Sequence, residues 1–198
     1  MISEPMTLAT DYVLAAITAF LAFRILRNTE GQSARRFWGL AFIALALGAA
    51  LGGTYHGFEL EALWKPTVWA VGFASAGMLV GSAFAATRGA PRQALLALAA
   101  VKLAAFWLWT WRDDRFIGVV ADTATAFALV AALHLWRWRE PGSRWILAGV
   151  GVSIAAAAVQ ASGFALHRHF NHNDLYHLIQ IAAMLAYYRG ARILADRR

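Results

Sequence analysis

Residues 167–180 read His-Arg-His-Phe-Asn-His-Asn-Asp-Leu-Tyr-His-Leu-Ile-Gln and lead into the last apolar segment of the chain. This stretch contains four of the six histidines. His177 lies about one helical turn inside the apolar segment, where ionisable side chains are rare and are usually functional. The stretch therefore predicts a membrane-embedded helix with a polar site at its entrance.

The composition of the whole chain is typical of an integral membrane protein. Of the 198 residues, 60% are hydrophobic and only 15% are charged, and the mean hydropathy is +0.52, which is outside the soluble range. The chain has no cysteine, which excludes disulfides, thiolate zinc sites, iron–sulfur clusters and thiol nucleophiles. Any metal must therefore be bound by histidine, carboxylate or backbone groups.

Apolar windows of about 20 residues, long enough to cross the roughly 30 Å hydrocarbon layer, recur along the entire chain. They cover residues 7–26, 36–58, 64–86, 92–111, 116–136, 143–166 and 174–194. The connections between them are short and contain no linker or low-complexity segment. We therefore expect an all-α, polytopic bundle of seven transmembrane helices that forms a single domain over residues 1–198.

Arginines mark the ends of these windows and predict the orientation of the bundle. The first, third and fifth connections and the C-terminal tail are rich in arginine, whereas the second and fourth connections balance basic with acidic residues. By the positive-inside rule, the N-terminus is outside and the C-terminus is cytoplasmic. The net charge of +7 is thus a topology signal and does not indicate nucleic-acid binding. We expect the protein in the bacterial inner (plasma) membrane, with membrane lipids as its partners.

Small residues at four-residue spacing predict close contacts between helices. The pairs are Gly48 with Gly52, Gly53 with Gly57, and Gly77 with Gly81. Glycines at this spacing let two helix backbones approach closely in a membrane.

With this topology, several polar residues fall in one layer near the outer face. His56 ends the second window, His177 enters the seventh, and Asp122 lies about two turns into the fifth. His172 is five residues before His177, which is about 140° around an ideal helix. It can join His177 on one metal only from the loop or cap before the helix, with Asn173 or Asp174 as the N-cap.

These positions predict a zinc centre with His56, His172 and His177 as ligands. Three protein ligands and a water are typical of catalytic zinc. Asp122 is then the expected proton-handling carboxylate. The residues expected to orient the ligand side chains through hydrogen bonds are Asn173, Asp174 and Gln180.

Structural roles for the same residues stay open. Asp122 can form a salt bridge with Lys102, and His56 can form a helix-to-helix hydrogen bond with His177. His134 is expected at the surface near the cytoplasmic end.

The seven windows, the histidine that ends the second and the histidine motif that opens the seventh resemble the CREST superfamily of membrane hydrolases. That superfamily includes alkaline ceramidases and the adiponectin and progestin receptor group. The resemblance implies zinc bound by one histidine of the second helix and two of the seventh, with an aspartate nearby. The match is carried by His56 and His177. The chain departs from the pattern with Gly52 in place of a serine and Asn173 in place of a histidine.

Three functions follow from these patterns. The first is a zinc-dependent hydrolase of a lipid amide or ester near the outer face, as the resemblance implies. The second is a membrane haem protein with His56 and His177 as axial ligands. The third is a transporter or sensor that uses Asp122 and Lys102. A retinal protein is excluded, because the last window contains no lysine for a Schiff base.

Overall fold

The protein is all-helical, as predicted. The computed structural model describes residues 2–167 and 169–198, and in these residues it contains seven α-helices and no β-strand. The helices are α1 (Pro5–Leu26), α2 (Ser33–Phe58), α3 (Trp64–Ala86), α4 (Gly89–Arg112), α5 (Ile117–Trp136), α6 (Ser143–Ser162) and α7 (His172–Ala191). A short 3-10 helix, Glu61–Leu63, precedes α3.

The sixth helix is shorter than its apolar window. It ends at Ser162, because Gly163 has a φ of 68° and stops the helix in the left-handed region. The apolar residues that follow belong to the α6–α7 loop, in which Phe164 and Leu166 are exposed. The prediction of a helix to residue 166 was wrong because hydropathy does not register this helix stop.

Six of the helices, α1 to α6, are long and apolar enough to cross a membrane. The seventh helix has 20 residues, as many as α5 and α6, but it is not among these six. Its first half contains the polar residues of the histidine stretch, and several of them face the protein interior. These polar groups, several of which are turned toward the other helices, give α7 its lower hydropathy.

Six helices form a closed ring. Each of α1, α2, α3, α5, α6 and α7 contacts the next, and α7 contacts α1 to complete the circle. The remaining helix, α4, packs outside the ring against α3 and α5, and it is the least buried of the six apolar helices. In the centre, the Trp38 and Tyr187 rings lie 5.3 Å apart.

The two ends of the bundle differ in chemistry. At one end, α1, α3, α5 and α7 begin, and the backbone N–H of Ser3 donates to the carbonyl of Gly57 at 2.9 Å. We call this the histidine end. At the other end, which we call the arginine end, the backbone N–H of Arg197 donates to the carbonyl of Phe84 at 2.9 Å. The C-terminal tail therefore closes the arginine end.

The α4–α5 connection at the histidine end is held by a local ion pair. The Asp113 carboxylate accepts hydrogen bonds from the backbone and the guanidinium of Arg115. The hydrogen bonds from this guanidinium hold the pKa of Asp113 well below its usual range.

Candidate functional site

A buried polar cluster joins the first turns of α1 to the first turns of α7. The Thr7 hydroxyl donates to Asp174 Oδ1 at 2.9 Å. Thr10 Oγ1 lies 3.0 Å from His177 Nδ1, and Asp11 Oδ1 lies 3.1 Å from His177 Nε2. We call Thr7, Thr10, Asp11, Asp174 and His177 the α1–α7 cluster. Each of these residues is at least 93% buried.

The α1 half of this cluster was missed in the sequence. Thr7, Thr10 and Asp11 are spaced three and four residues apart, which places them on one face of a helix. That spacing was a usable signal. The depth of Asp122 in the fifth window favoured that residue as the carboxylate of the site instead.

The contacts of His177 constrain its protonation. Thr10 Oγ1, which has one hydrogen, lies within reach of both the Thr7 carbonyl, at 3.2 Å, and His177 Nδ1. If Thr10 donates to the carbonyl, Nδ1 carries a hydrogen, and a neutral ring then presents its Nε2 lone pair to Asp11 Oδ1. If Thr10 donates to Nδ1, then Nε2 carries the hydrogen. In both cases a proton or another cation must lie between Nε2 and Oδ1.

Asp11 has one carboxylate oxygen that these contacts leave unused. Asp11 Oδ2 is buried and has no hydrogen-bond partner within residues 2–167 and 169–198. A buried carboxylate oxygen without a donor is costly. This oxygen is therefore available for a ligand.

His56 lies in the last turn of α2, at the same end of the bundle. Its Nδ1 is 3.5 Å from Glu4 Oε2, and its side chain is 30% exposed. Gly52 lies one helical turn before His56 on the same face of α2, and a Cβ added at Gly52 would lie 3.9 Å from Asp11 Oδ2. His56 is thus the more accessible histidine and His177 the enclosed one.

The start of α7 differs from the prediction in its cap residue. The N-cap is Asn171, and its side chain accepts from the backbone of Asn173 and Asp174, while the Asp174 carboxylate accepts from the Asn171 backbone. The prediction of Asn173 or Asp174 as N-cap was wrong, because this reciprocal capping box starts the helix earlier. His172 is therefore the first helical residue, about 140° around the helix from His177.

The other predicted supporting residues face α6. Gln160 Nε2 donates to Asn173 Oδ1 at 3.1 Å, and Gln180 Nε2 donates to Ser153 Oγ at 3.2 Å. Of the three residues expected to orient the ligand side chains, only Asp174 belongs to the α1–α7 cluster.

Asp122 lies in a separate cluster across the bundle. Lys102 Nζ lies 2.5 Å from Asp122 Oδ1 and 3.0 Å from Ser75 Oγ, and the Ser75 hydroxyl lies 2.5 Å from Asp122 Oδ2. This cluster joins α3, α4 and α5. The structure therefore pairs Asp122 with Lys102 and does not bring it to the histidines.

A family model matches residues 6–196 of the chain, and it describes a family of unknown function, DUF6962. The chain belongs to the DUF6962 family. A search of curated proteins found no match, and a search of solved structures found none. The matched residues span all seven helices except Pro5, and they include every residue of the α1–α7 cluster.

Three other histidines of this DUF6962 protein lie near the end of α5 or in the α6–α7 loop. His134 is 1% exposed, between Ser143 Oγ at 2.9 Å and Ser82 Oγ at 3.1 Å. Its predicted surface position was wrong, because two hydroxyls from neighbouring helices satisfy its ring nitrogens inside the bundle. His167 and His169 are exposed in the α6–α7 loop. Arg168, within the histidine stretch, lies outside the described residues.

The α1–α7 cluster and His56 contain potential metal ligands, but these are not already arranged around one point. Over residues 2–167 and 169–198, no group of three or more histidine and carboxylate side chains is already arranged around one point. Asp11 and His177 are in contact, and His56 lies in the last turn of α2 at the same end of the bundle. This donor set, two imidazoles and a carboxylate, matches the chemistry of catalytic zinc sites.

Proposed function

We propose that this protein is a zinc-dependent membrane hydrolase of a lipid amide or ester, with its site at the histidine end. His177, His56 and Asp11 would hold the ion. The observation that carries this proposal is the 3.1 Å separation of His177 Nε2 and Asp11 Oδ1. Two ligands that share one tetrahedral zinc at about 2.0 to 2.1 Å are roughly 3.3 Å apart. The pair is therefore already spaced for a shared cation.

Two further features support the same ligand set. His177 Nδ1 lies 3.0 Å from Thr10 Oγ1. When Nδ1 donates its hydrogen to this oxygen, the Nε2 lone pair is left to bind an ion, as in ligand histidines whose second ring nitrogen donates to a neighbouring group. Asp11 Oδ2 is buried and unpartnered in the described part of the chain, so the carboxylate can bind an ion without breaking another contact. In this set, Asp11 from α1 takes the place of the third ligand that the sequence assigned to His172.

Other residues of the chain would orient the ligands and exchange protons. Zinc, when bound, supplies a Lewis acid that polarises a carbonyl and activates water. Thr10 orients the His177 ring, and Asp174, held by Thr7 and Asn171, anchors the start of α7 beside it. Glu4, 42% exposed beside His56, is the carboxylate placed to exchange protons with water.

The substrate class follows from the position of the site. By the positive-inside rule, the arginine end is cytoplasmic, so the histidine end lies near the opposite leaflet. Exposed apolar side chains surround this end, among them Phe58, Leu60, Phe164 and Leu166. A site between such residues and water suits a lipid whose amide or ester bond lies at the membrane surface.

Metal analysis of protein purified in detergent without chelator tests the proposal. We expect about one zinc per chain in the wild type and about a tenth of that or less in His177→Ala and Asp11→Asn, because each removes a ligand. His56→Ala is expected to lose zinc as well. His169→Ala, an exposed loop histidine, is the matched control and should keep its zinc.

His172→Ala separates the two candidate ligand sets. Zinc retained in His172→Ala and lost in Asp11→Asn supports Asp11 as third ligand, and the reverse result restores His172. No zinc in well-folded wild-type protein would reduce the Asp11–His177 contact to a structural ion pair and overturn the hydrolase. A Soret band in the same sample would instead assign His56 and His177 to haem.

A further inference from the structure

A pocket at the arginine end lies between the end of α1, the start of α2 and the end of α7. Its volume is about 370 Å³, and its polar lining consists of Arg24, Asn28, Glu30, Arg35, Tyr188 and Arg192. This volume is within the range of small-molecule sites. The pocket lies at the end of the bundle opposite to the α1–α7 cluster, so it is independent of the proposed hydrolase site.

The charges of this pocket are unbalanced. Three arginines line it, and Glu30 is the one carboxylate among the lining residues. Glu30 forms its ion pair with Arg35, at 2.9 Å. Within residues 2–167 and 169–198, Arg24 and Arg192 have no ion-pair partner. Two positive charges therefore remain uncompensated around one cavity.

Arg35 is held in place by the protein. Its Nε donates to the carbonyl of Leu194 at 2.7 Å, and its Nη1 donates to the carbonyl of Asn28 at 3.3 Å. The side chain is only 13% exposed. A preorganised guanidinium loses little conformational entropy when it binds an anion. Arg24 and Arg192 are exposed and line the same pocket.

We propose that this pocket binds a phosphate group. Guanidinium groups bind phosphate oxygens through paired, charge-assisted hydrogen bonds. Two uncompensated charges match the one or two negative charges of a phosphate. Basic pockets between helices at the cytoplasmic membrane surface commonly take the headgroups of anionic lipids. The same chemistry would also accept free inorganic phosphate.

Native mass spectrometry of the full-length protein in neutral detergent tests the site with phosphatidylglycerol and phosphatidylcholine. We expect phosphatidylglycerol to bind more tightly than phosphatidylcholine. R24Q/R192Q should bind phosphatidylglycerol about ten-fold or more weakly, because it removes two charged donors. Both arginines are exposed, so this variant should fold, and its melting temperature in lipid-free detergent verifies that.

R144Q/R189Q is the matched control. Both arginines are exposed at the arginine end, where they lie over Trp138 and Trp145 outside the pocket. This variant removes the same charge and should bind phosphatidylglycerol within about two-fold of the wild type. If both double variants lose phosphatidylglycerol binding equally, or if R24Q/R192Q loses none, the proposed site is wrong. The lipid is then attracted by the overall positive charge of this end.

A second arm distinguishes the two sources of phosphate. The thermal shift of the wild type is measured with inorganic phosphate and with chloride at equal ionic strength. Stabilisation by inorganic phosphate that R24Q/R192Q abolishes, without preferential binding of phosphatidylglycerol, identifies free phosphate as the ligand. Preferential lipid binding without that stabilisation identifies the headgroup.

Discussion

Asp11 and Asp122 are both buried carboxylates beside a basic side chain, but their oxygens are satisfied to different degrees. Asp122 Oδ1 accepts from Lys102, and Oδ2 lies 2.5 Å from the Ser75 hydroxyl. Asp11 Oδ1 contacts His177, whereas Oδ2 has no partner among the described residues. Both carboxylate oxygens of Asp122 have protein partners, so we assign the Lys102–Asp122 pair a structural role. One carboxylate oxygen of Asp11 has none among the described residues, which supports the ligand role proposed for the Asp11–His177 pair.

The structural role of the Lys102–Asp122 pair is testable with a double-mutant cycle. Asp122→Leu alone leaves the Lys102 ammonium buried without a counter-charge and should lower the free energy of unfolding by roughly 3 to 5 kcal/mol. Lys102→Met/Asp122→Leu removes both charges and should recover most of that loss. Unfolding of detergent-solubilised protein, followed by circular dichroism, measures all four members of the cycle.

Additive losses of unfolding free energy in the Lys102 and Asp122 variants would contradict a structural role for this pair. If the double variant is destabilised by the sum of the single variants, the two side chains are not coupled. A double variant with wild-type stability is the expected result, because neither charge is then left buried alone. Any loss of function in that variant would then support the transporter or sensor alternative.

At the level of elements, α1 packs closely against α2 because the contact residue in α2 is a glycine, Gly53. A Cβ added at Gly53 would lie 2.7 Å from Asp11 Cβ and 3.3 Å from the carbonyl oxygen of Leu8. Only a glycine lets the α1 backbone approach this closely, and this approach sets the depth of Asp11. The small-residue spacing seen in the sequence therefore acts directly on the candidate site.

Gly53→Ala is expected to displace α1 and disturb the α1–α7 cluster. The overpacked contact should lower the free energy of unfolding by roughly 1 to 3 kcal/mol, and zinc content should fall because Asp11 moves. Thermal unfolding and metal analysis on the same sample measure both effects. Gly151→Ala is the control, since a Cβ at this exposed position in α6 meets nothing within 4 Å.

The expected result for Gly151→Ala is an unchanged or slightly raised stability, since alanine favours helix more than glycine does. Equal destabilisation by both substitutions would show that the effect comes from the helices themselves and not from the contact between α1 and α2.

At the level of the whole molecule, the C-terminal tail holds together helices that are far apart in sequence. The Asp196 carboxylate accepts from the backbone N–H of Ser33 at 2.9 Å and of Ala34 at 2.7 Å. It therefore caps the first turn of α2 from 162 residues away. The Arg92 guanidinium also donates to the carbonyl of Arg197. The tail thus connects the start of α2 to the α3–α4 corner.

Asp196→Ala is expected to destabilise the bundle by roughly 0.5 to 2 kcal/mol, the usual effect of losing an N-terminal helix cap. Asp196→Asn should keep only part of the stability, because its single amide oxygen can replace one of the two carboxylate oxygens that accept from Ser33 and Ala34. Thermal unfolding compares the three proteins. A wild-type stability in Asp196→Ala would show that these two hydrogen bonds do not stabilise the bundle.

The positions of the helices could be read from local patterns. The windows predicted for α3 and α5 agree with the structure at Trp64, Ala86 and Trp136, because hydropathy and helix length depend only on neighbouring residues. The end of α6 was missed because it depends on the backbone conformation of one glycine.

The sequence by itself determined an all-helical chain with apolar, membrane-length segments, and it placed His56 and His177 at one end of them. Only the tertiary structure decided which polar groups meet: His177 contacts Asp11 and Thr10 of α1, whereas Asp122 pairs with Lys102. The physical reason is that hydropathy reports whether a helix is apolar, but not how it is rotated about its axis. That rotation depends on packing, such as the contact of α1 with Gly53.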